Sequence, residues 1–239
     1  MLHMLSVPLL MTVWSNAVVC GDEPATQAHR LLPLTGLDVP VIYDGQAVAV
    51  ADLWQSWVDA DVPQVRLLLP RPGRPIALQP DDVAREGMRV GSILAANGAG
   101  QALLPRLVRG QLVAWDLAAI DDPGLLAPAA VRAAEREFAT ALREETEWLD
   151  AQVQPAGDAE LAALREKLAS PEPPVPTTLP DADSNLLRRC ERVLVIVQGA
   201  RAAPEPVSAA ARAARMAALA RIEAATLTLQ EAAASGWVA

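Results

Sequence analysis

The opening of the chain sets apolar against polar positions with a helical period. Val7, Leu10, Met11, Trp14, Ala17 and Val18 recur at i, i+3, i+4 and i+7 spacing, while Thr12, Ser15 and Asn16 fall on the opposite side. The spacing predicts a half-buried amphipathic helix, closed by Gly21 as a left-handed cap and by Pro24, which cannot continue it. A secretory signal needs a cationic start and an unbroken apolar centre. Here no Lys or Arg precedes Arg30, and Pro8 interrupts the run. A lipoprotein signal needs a small residue before its cysteine, whereas Val19 precedes Cys20. A membrane-spanning helix needs about 20 predominantly apolar residues, and the polar side of this segment dilutes a shorter run. The segment reads as the first helix of a soluble, cytoplasmic protein with no stable membrane insertion.

From about residue 39 to 117 the period shortens and β-forming residues appear. The run VPVIYDGQAVAV places strand-forming residues around Asp44-Gly45, a dipeptide suited to a tight hairpin turn. Helical spacing then returns, with Leu53, Trp54, Trp57 and Val58 on one face. QVRLLLP is a short continuous apolar run, consistent with a strand covered on both faces and ended by Pro70, Pro72, Gly73 and Pro75. QPDDVAREG starts a short helix, with Asp81 and Asp82 at its positive end. Three apolar runs follow, parted by Asn97-Gly98-Ala99-Gly100 and Arg109-Gly110, and read as an antiparallel meander. Pro105 in the middle run predicts an edge, a bulge or a split at that point.

Beyond Asp121-Asp122-Pro123-Gly124 the pattern is helical. Pro128 suits the first turn of a helix running to about Asp150, with Val131, Ala134, Phe138, Ala141, Leu142 and Leu149 as its apolar stripe. Arg132, Glu135, Arg136, Arg143, Glu144 and Glu147 cover its remaining surface. A shorter helix carries Leu161, Leu164 and Leu168, and residues 171–180 read as a Pro-rich extended connector. Leu186, Leu187, Cys190, Val193, Leu194 and Val197 fit a helix ending at Gly199. The β-branched run from Val193 to Val197 leaves a strand open as an alternative. The last segment has high helix propensity, with Met216, Leu219, Ile222 and Leu229 as its core seam. These elements define an α+β fold: a small mixed or antiparallel sheet with short helices, followed by a packed C-terminal helical bundle. Residues 1–120 form the α/β region and 121–239 the helical region, expected to pack as one compact unit.

Composition narrows the functional classes. The chain is 52% hydrophobic but only 3% aromatic, so Ala, Leu and Val must do most of the packing. Lys167 is the only lysine, and the net charge of −9 comes with no basic stripe. Nucleic-acid binding needs clustered Lys and Arg to displace counterions, so nucleic acid is not an expected partner. Cys20 and Cys190 lie far apart, with no C-x-x-C motif, and read as buried thiols in a reducing compartment.

Trp14-Ser15-Asn16-Ala17, LLLPRPGRP at 67–75, the acidic-basic helix from Val131 to Leu149 and ARMAALARIEAA near the end together resemble a family of uncharacterised, alanine-rich actinobacterial proteins. The resemblance implies a cytoplasmic α+β protein, and it brings no activity or functional residue with it.

The motifs that carry chemistry are sparse. AANGAGQ at 95–101 lacks the G-K-[ST] ending of a phosphate loop and reads as a hairpin turn. His3 and His29 are the only histidines, and neither has a nucleophile beside it. The carboxylates Glu144, Glu145 and Glu147 read as a wet helix face. No catalytic residue, metal site or cofactor is assigned. Arg71 and Arg74, three residues apart on the loop after a buried strand, have the spacing to clamp an anion. Asp81 stands nearby in sequence as a third ligand-binding candidate; alternatively Asp81 or Asp82 simply pairs with the arginines. The expected function is therefore a non-enzymatic interaction or regulatory protein, using its Arg/Glu-striped helical surface toward a protein partner or another copy of itself. The alternative is an anionic-ligand protein or enzyme built on the 70–82 loop.

Overall fold

The computed structural model describes residues 6–35, 37–71, 73, 74, 76, 78–121, 130–152, 158–169, 173–202 and 208–236. The expected turn beyond Asp121, the helix start at Pro128, and Pro72 and Pro75 lie outside those residues. The opening helix is α1 (Val7–Val19), followed by α2 (Ala25–Thr35). Gly21 does take a left-handed conformation, at φ 77°.

The expected half-buried helix is instead enclosed on every side. Leu9 through Val18 are all buried, and Thr12, Ser15 and Asn16 are 0% exposed. The polar side tolerates burial because each group finds a partner inside. Thr12 Oγ1 donates to the Pro8 carbonyl at 2.9 Å, and Ser15 Oγ accepts the Trp54 indole N–H at 2.8 Å. Asn16 makes three hydrogen bonds to backbone, described below with the strand it holds.

Asp44 and Gly45 both adopt positive φ, at 48° and 77°, as the tight turn between β1 (Val41–Tyr43) and β2 (Gln46–Val48) requires. Helix α3 (Val50–Asp59) buries Val50, Leu53, Trp54 and Trp57. Strand β3 (Gln64–Leu68), helix α4 (Asp81–Val90) and the meander β4 (Ile93–Asn97), β5 (Gln101–Val108) and β6 (Gln111–Ala119) complete the α/β region. The six strands form one mixed sheet in the order β2-β1-β6-β5-β4-β3. Neighbours are antiparallel except β1 and β6, which run parallel.

Pro105 lies in β5, which has neighbours on both sides, yet it breaks no ladder. Pairing with β4 extends only to Leu103, so the side of β5 next to Pro105 lacks a partner strand there. On the other side Pro105 stands opposite Trp115, and the register slips immediately afterward, between Arg106 and Leu107.

The helical region consists of α5 (Val131–Gln152), α6 (Asp158–Leu168), α7 (Asp181–Ala202) and α8 (Ala209–Gly236). The Val193–Val197 run is helical. Val193 and Val197 pack with Leu219 and Ile222 of α8, and α7 continues past Gly199, whose open side faces Leu164. Met216 is exposed, so the seam of α8 is carried by Leu219, Ile222 and Leu229 with alanines between them. In the Pro-rich connector, the Pro174 carbonyl accepts the Trp14 indole N–H at 3.2 Å and Leu179 is buried. The largest core cluster draws Leu9, Leu10 and Trp14 from α1, Trp54 and Trp57 from α3, Leu67 and Leu94 from the sheet, and Leu187, Ala233 and Ala234 from α7 and α8. Burying each of the leucines among them contributes about 1.5–3 kcal/mol.

Strand β3 is the sheet edge, yet Val65, Arg66 and Leu67 are buried because α1 and α8 cover it. The outward N–H groups of β3 and of Leu69 just past its end, on alternate residues, are each capped by a side chain. Val65 N–H donates to Asn16 Oδ1 at 2.7 Å, Leu67 N–H to Ser235 Oγ at 3.3 Å, and Leu69 N–H to Glu231 Oε1 at 2.7 Å. Asn16 Nδ2 also donates to the Val65 carbonyl at 2.9 Å and to the Ala234 carbonyl at 3.1 Å. An edge that would otherwise template pairing with another chain is thus closed by side chains. Glu231, the last of these caps, also forms the back of the candidate site.

Candidate functional site

The chain leaving β3 turns at once. Arg74 N–H donates to the Arg71 carbonyl at 2.9 Å, and Gly73 sits at φ 81°, a conformation that favours glycine. This turn brings Arg71 and Arg74 together, as their spacing predicts. What they meet is Glu231 of α8, and neither Asp81 nor Asp82. Glu231 Oε2 lies 3.6 Å from Arg71 Nη1 and 3.0 Å from Arg74 Nη1. Arg71 also donates to the Leu69 carbonyl at 2.9 Å and to Thr228 Oγ1, and Arg74 donates to the same hydroxyl at 2.9 Å. The Thr228 hydroxyl itself donates to the Ala224 carbonyl at 2.9 Å.

Burial governs the ionisation of this cluster. Desolvation holds the Arg71 guanidinium below its ordinary range, opposed chiefly by the Glu231 charge. Desolvation also pushes the Glu231 carboxyl up, against the Leu69 N–H and the two arginines. The predicted clamp therefore already holds a carboxylate from its own chain. Asp81 lies apart from it. Exposed at the start of α4, it accepts Gln79 Nε2 at 3.0 Å and does not border the groove described next.

In front of the arginine turn lies an open groove of about 810 Å³ between α5 and α8. Glu137 and Glu144 stand on its α5 wall, with Arg136 among the same lining residues. Arg71, Arg74 and Arg221 stand on the facing wall, and Thr140, Ala141, Ala224 and Ala225 supply small side chains between. Arg221 is chelated by Glu145, through Nε and through Nη2 to Oε2 at 2.7 Å. Glu145 is consequently buried, contrary to the wet face expected of the Glu144–Glu147 run, and the pairing holds its carboxyl below the ordinary range.

The other candidates are placed elsewhere. Gly98 and Gly100, at φ 85° and 60°, shape the β4–β5 turn, and the Gly100 carbonyl accepts the Ile120 N–H at 2.8 Å, so the glycine-rich run serves a hairpin. His29 and Asp38 border a separate cavity of about 260 Å³. Cys190 is buried with its thiol pushed up to about 12 by desolvation, whereas Cys20 is exposed, contrary to expectation. Among the described residues no group of three or more His, Cys, Asp and Glu is placed to hold a metal ion. No described helix is long and apolar enough to cross a membrane.

Glu231, Thr228, Glu145 and Arg221 escape a reading of the sequence. Each lies on a helix whose local pattern marks it as one more polar position; packing of α8 along β3 brings Glu231 and Thr228 to the arginine turn, and packing of α5 on α8 joins Glu145 to Arg221.

No protein-family model matches the chain, and neither a curated protein nor a solved structure matches it. What fold and site define is a class: an α+β protein whose edge strand leads into a charged groove between two helices.

Proposed function

We propose that the chain is a non-enzymatic cytosolic interaction or regulatory protein and that the α5–α8 groove is its docking surface. The observation that carries this reading is the groove itself, about 810 Å³ in volume and walled by Arg and Glu, with no histidine, cysteine or lysine among its lining residues. This groove is open, carries Arg and Glu along both walls and has small side chains between them, which suits a protein surface. The resemblance to alanine-rich actinobacterial proteins of unknown activity belongs to the same proposal.

The test fills the groove without touching the core. Thr140 is exposed on α5 and lines it, so Thr140→Trp blocks entry. Tagged wild-type protein is expected to capture a partner, or a second copy, from its native cell, and Thr140→Trp to lose it. Capture of the same set by both forms, or turnover of a defined metabolite by the pure protein, would sink the proposal. A second reading, a small anion on Arg71 and Arg74, rests on Arg74, whose side chain is 48% exposed at the groove. Inorganic phosphate should then raise the thermal midpoint, and Arg74→Ala should abolish the rise.

A further inference from the structure

Helix α1 begins with little to hold it. Ser6 stands at the N-cap position but its side chain caps no N–H of the helix, and Pro8 has no N–H to offer. Within the turn, the Leu10 N–H donates to the Ser6 carbonyl at 3.0 Å. Toward the rest of the molecule, the Ser6 N–H donates to Glu191 Oε1 of α7 at 3.2 Å. The same oxygen accepts Gln230 Nε2 of α8 at 2.7 Å, so one carboxyl joins three helices. Glu191 is buried, yet Ser6, Val7 and Pro8 above it are only half-buried, whereas Leu9 through Val18 are enclosed. We propose that Glu191 and the first turn of α1 form a pH-sensitive latch: the turn lies closed over the protonated carboxyl, and ionisation lifts it so that water reaches the carboxylate. The latch is independent of the docking reading.

The surroundings of Glu191 supply no counter-charge. Helix α1 contains no ionisable side chain. Helix α8 turns a neutral amide, Gln230, toward it, while Glu223 and Glu231 of that helix are held by Arg201 and by Arg71 and Arg74. On α7 its neighbours in the chain are Arg188, Arg192 and Cys190, whose thiol its charge raises. Helix α6 meets α7 further along, where Leu164 faces Gly199. Desolvation pushes the Glu191 carboxyl up to about 7, and what opposes it among the described residues is the bonding from Ser6 and Gln230, with no cation. A buried carboxylate without a cation is costly, and hydration relieves it. Gln230 is 2% exposed, so the way in for water is past Ser6. Lifting the turn gives up the Ser6 bonds and part of the packing of Val7, and leaves the enclosed remainder of α1 in place. The closed form holds the proton more tightly than the open, hydrated one. Its advantage is therefore full below pH 4.5 and is lost as pH rises toward about 7.

Hydrogen exchange of single amides in the intact chain tests the latch. After correction for the intrinsic effect of pH, protection at Ser6 and Leu10 is expected to fall about tenfold between pH 6 and pH 8, as carboxyl values of about 7 closed and 4.5 open require. Lifting one turn exposes little surface, so exchange at these two amides should be insensitive to low urea, whereas the amides from Trp14 to Val18 should follow the urea dependence of global unfolding. Glu191→Gln keeps an acceptor for Ser6 and Gln230 but cannot ionise, so the fall with pH should vanish in it. Protection at Ser6 and Leu10 that ignores pH in the wild type would overturn the latch, as would a fall retained in Glu191→Gln. Exchange at Ser6 and Leu10 with the urea dependence of the core would overturn it too, and the wild-type measurements alone decide if the variant does not fold.

Discussion

Asn16 satisfies three backbone groups with one side-chain amide, binding α1 to the edge strand and to the end of α8. Leucine at this position keeps the volume and strands those groups in the interior. At about 1–3 kcal/mol for each buried group left unpaired, Asn16→Leu is expected to lose at least about 3 kcal/mol, read as a lower urea midpoint. A loss under about 1 kcal/mol would show that the edge does not depend on this amide. Glu191 of α7 is the other demanding residue. It is 6% exposed, and its Oε1 accepts the Ser6 N–H at 3.2 Å and Gln230 Nε2 at 2.7 Å. Burial pushes its carboxyl from 4.5 up to about 7, with those hydrogen bonds opposing. A raised folded-state value means that the native protein holds the proton more tightly than the unfolded chain. The stabilisation is full below pH 4.5 and is lost as pH rises toward 7. Glu191→Gln keeps an acceptor for both donors, so its thermal midpoint should change less than that of wild type between pH 5 and pH 8 and exceed it at pH 8. Parallel curves for the two proteins would refute this.

Among the elements, α4 docks on the sheet through a position where a side chain has no room. A Cβ on Gly87 would come within 2.2 Å of Ile93 Cδ1 and 2.4 Å of its Cγ1. Gly87→Ala is therefore expected to cost about 1–3 kcal/mol by overpacking. In an Ile93→Ala background that increment should largely disappear, and a double-mutant cycle measures the coupling. Additive costs would place the strain elsewhere. How far an element can be read from sequence depends on whether its cause is local. The Asp44-Gly45 and Arg109-Gly110 turns were legible because a two-residue hairpin needs positive φ at both positions, and both pairs adopt it. The Val193–Val197 run was ambiguous because β-branched residues fit strand or buried helix equally. Contact with Leu219 and Ile222 decides for helix.

For the whole molecule, one core cluster joins α1, the sheet and the helical region, with Leu179, Leu187 and Ala233 in contact with residues from the first half. Unfolding is therefore expected to be a single transition. With Trp148 and Trp237 replaced by Phe, tryptophan emission reports only Trp14, Trp54, Trp57 and Trp115 of the α/β region, and it should coincide in urea with far-ultraviolet circular dichroism, reporting mainly the helices. Separate midpoints would mean two units. By itself the chain's pattern determined the α+β composition, the tight turns, the existence of the long helices and the proximity of Arg71 to Arg74, because these depend on backbone preferences and spacings within a few residues. Only the tertiary structure decided that the polar side of α1 faces inward, that Glu231 occupies the arginine pair while Asp81 stands aside, and that α5 and α8 enclose a groove. Those outcomes depend on which distant side chains can satisfy a buried hydrogen bond or charge, and a local period of apolar residues carries no information about such a partner.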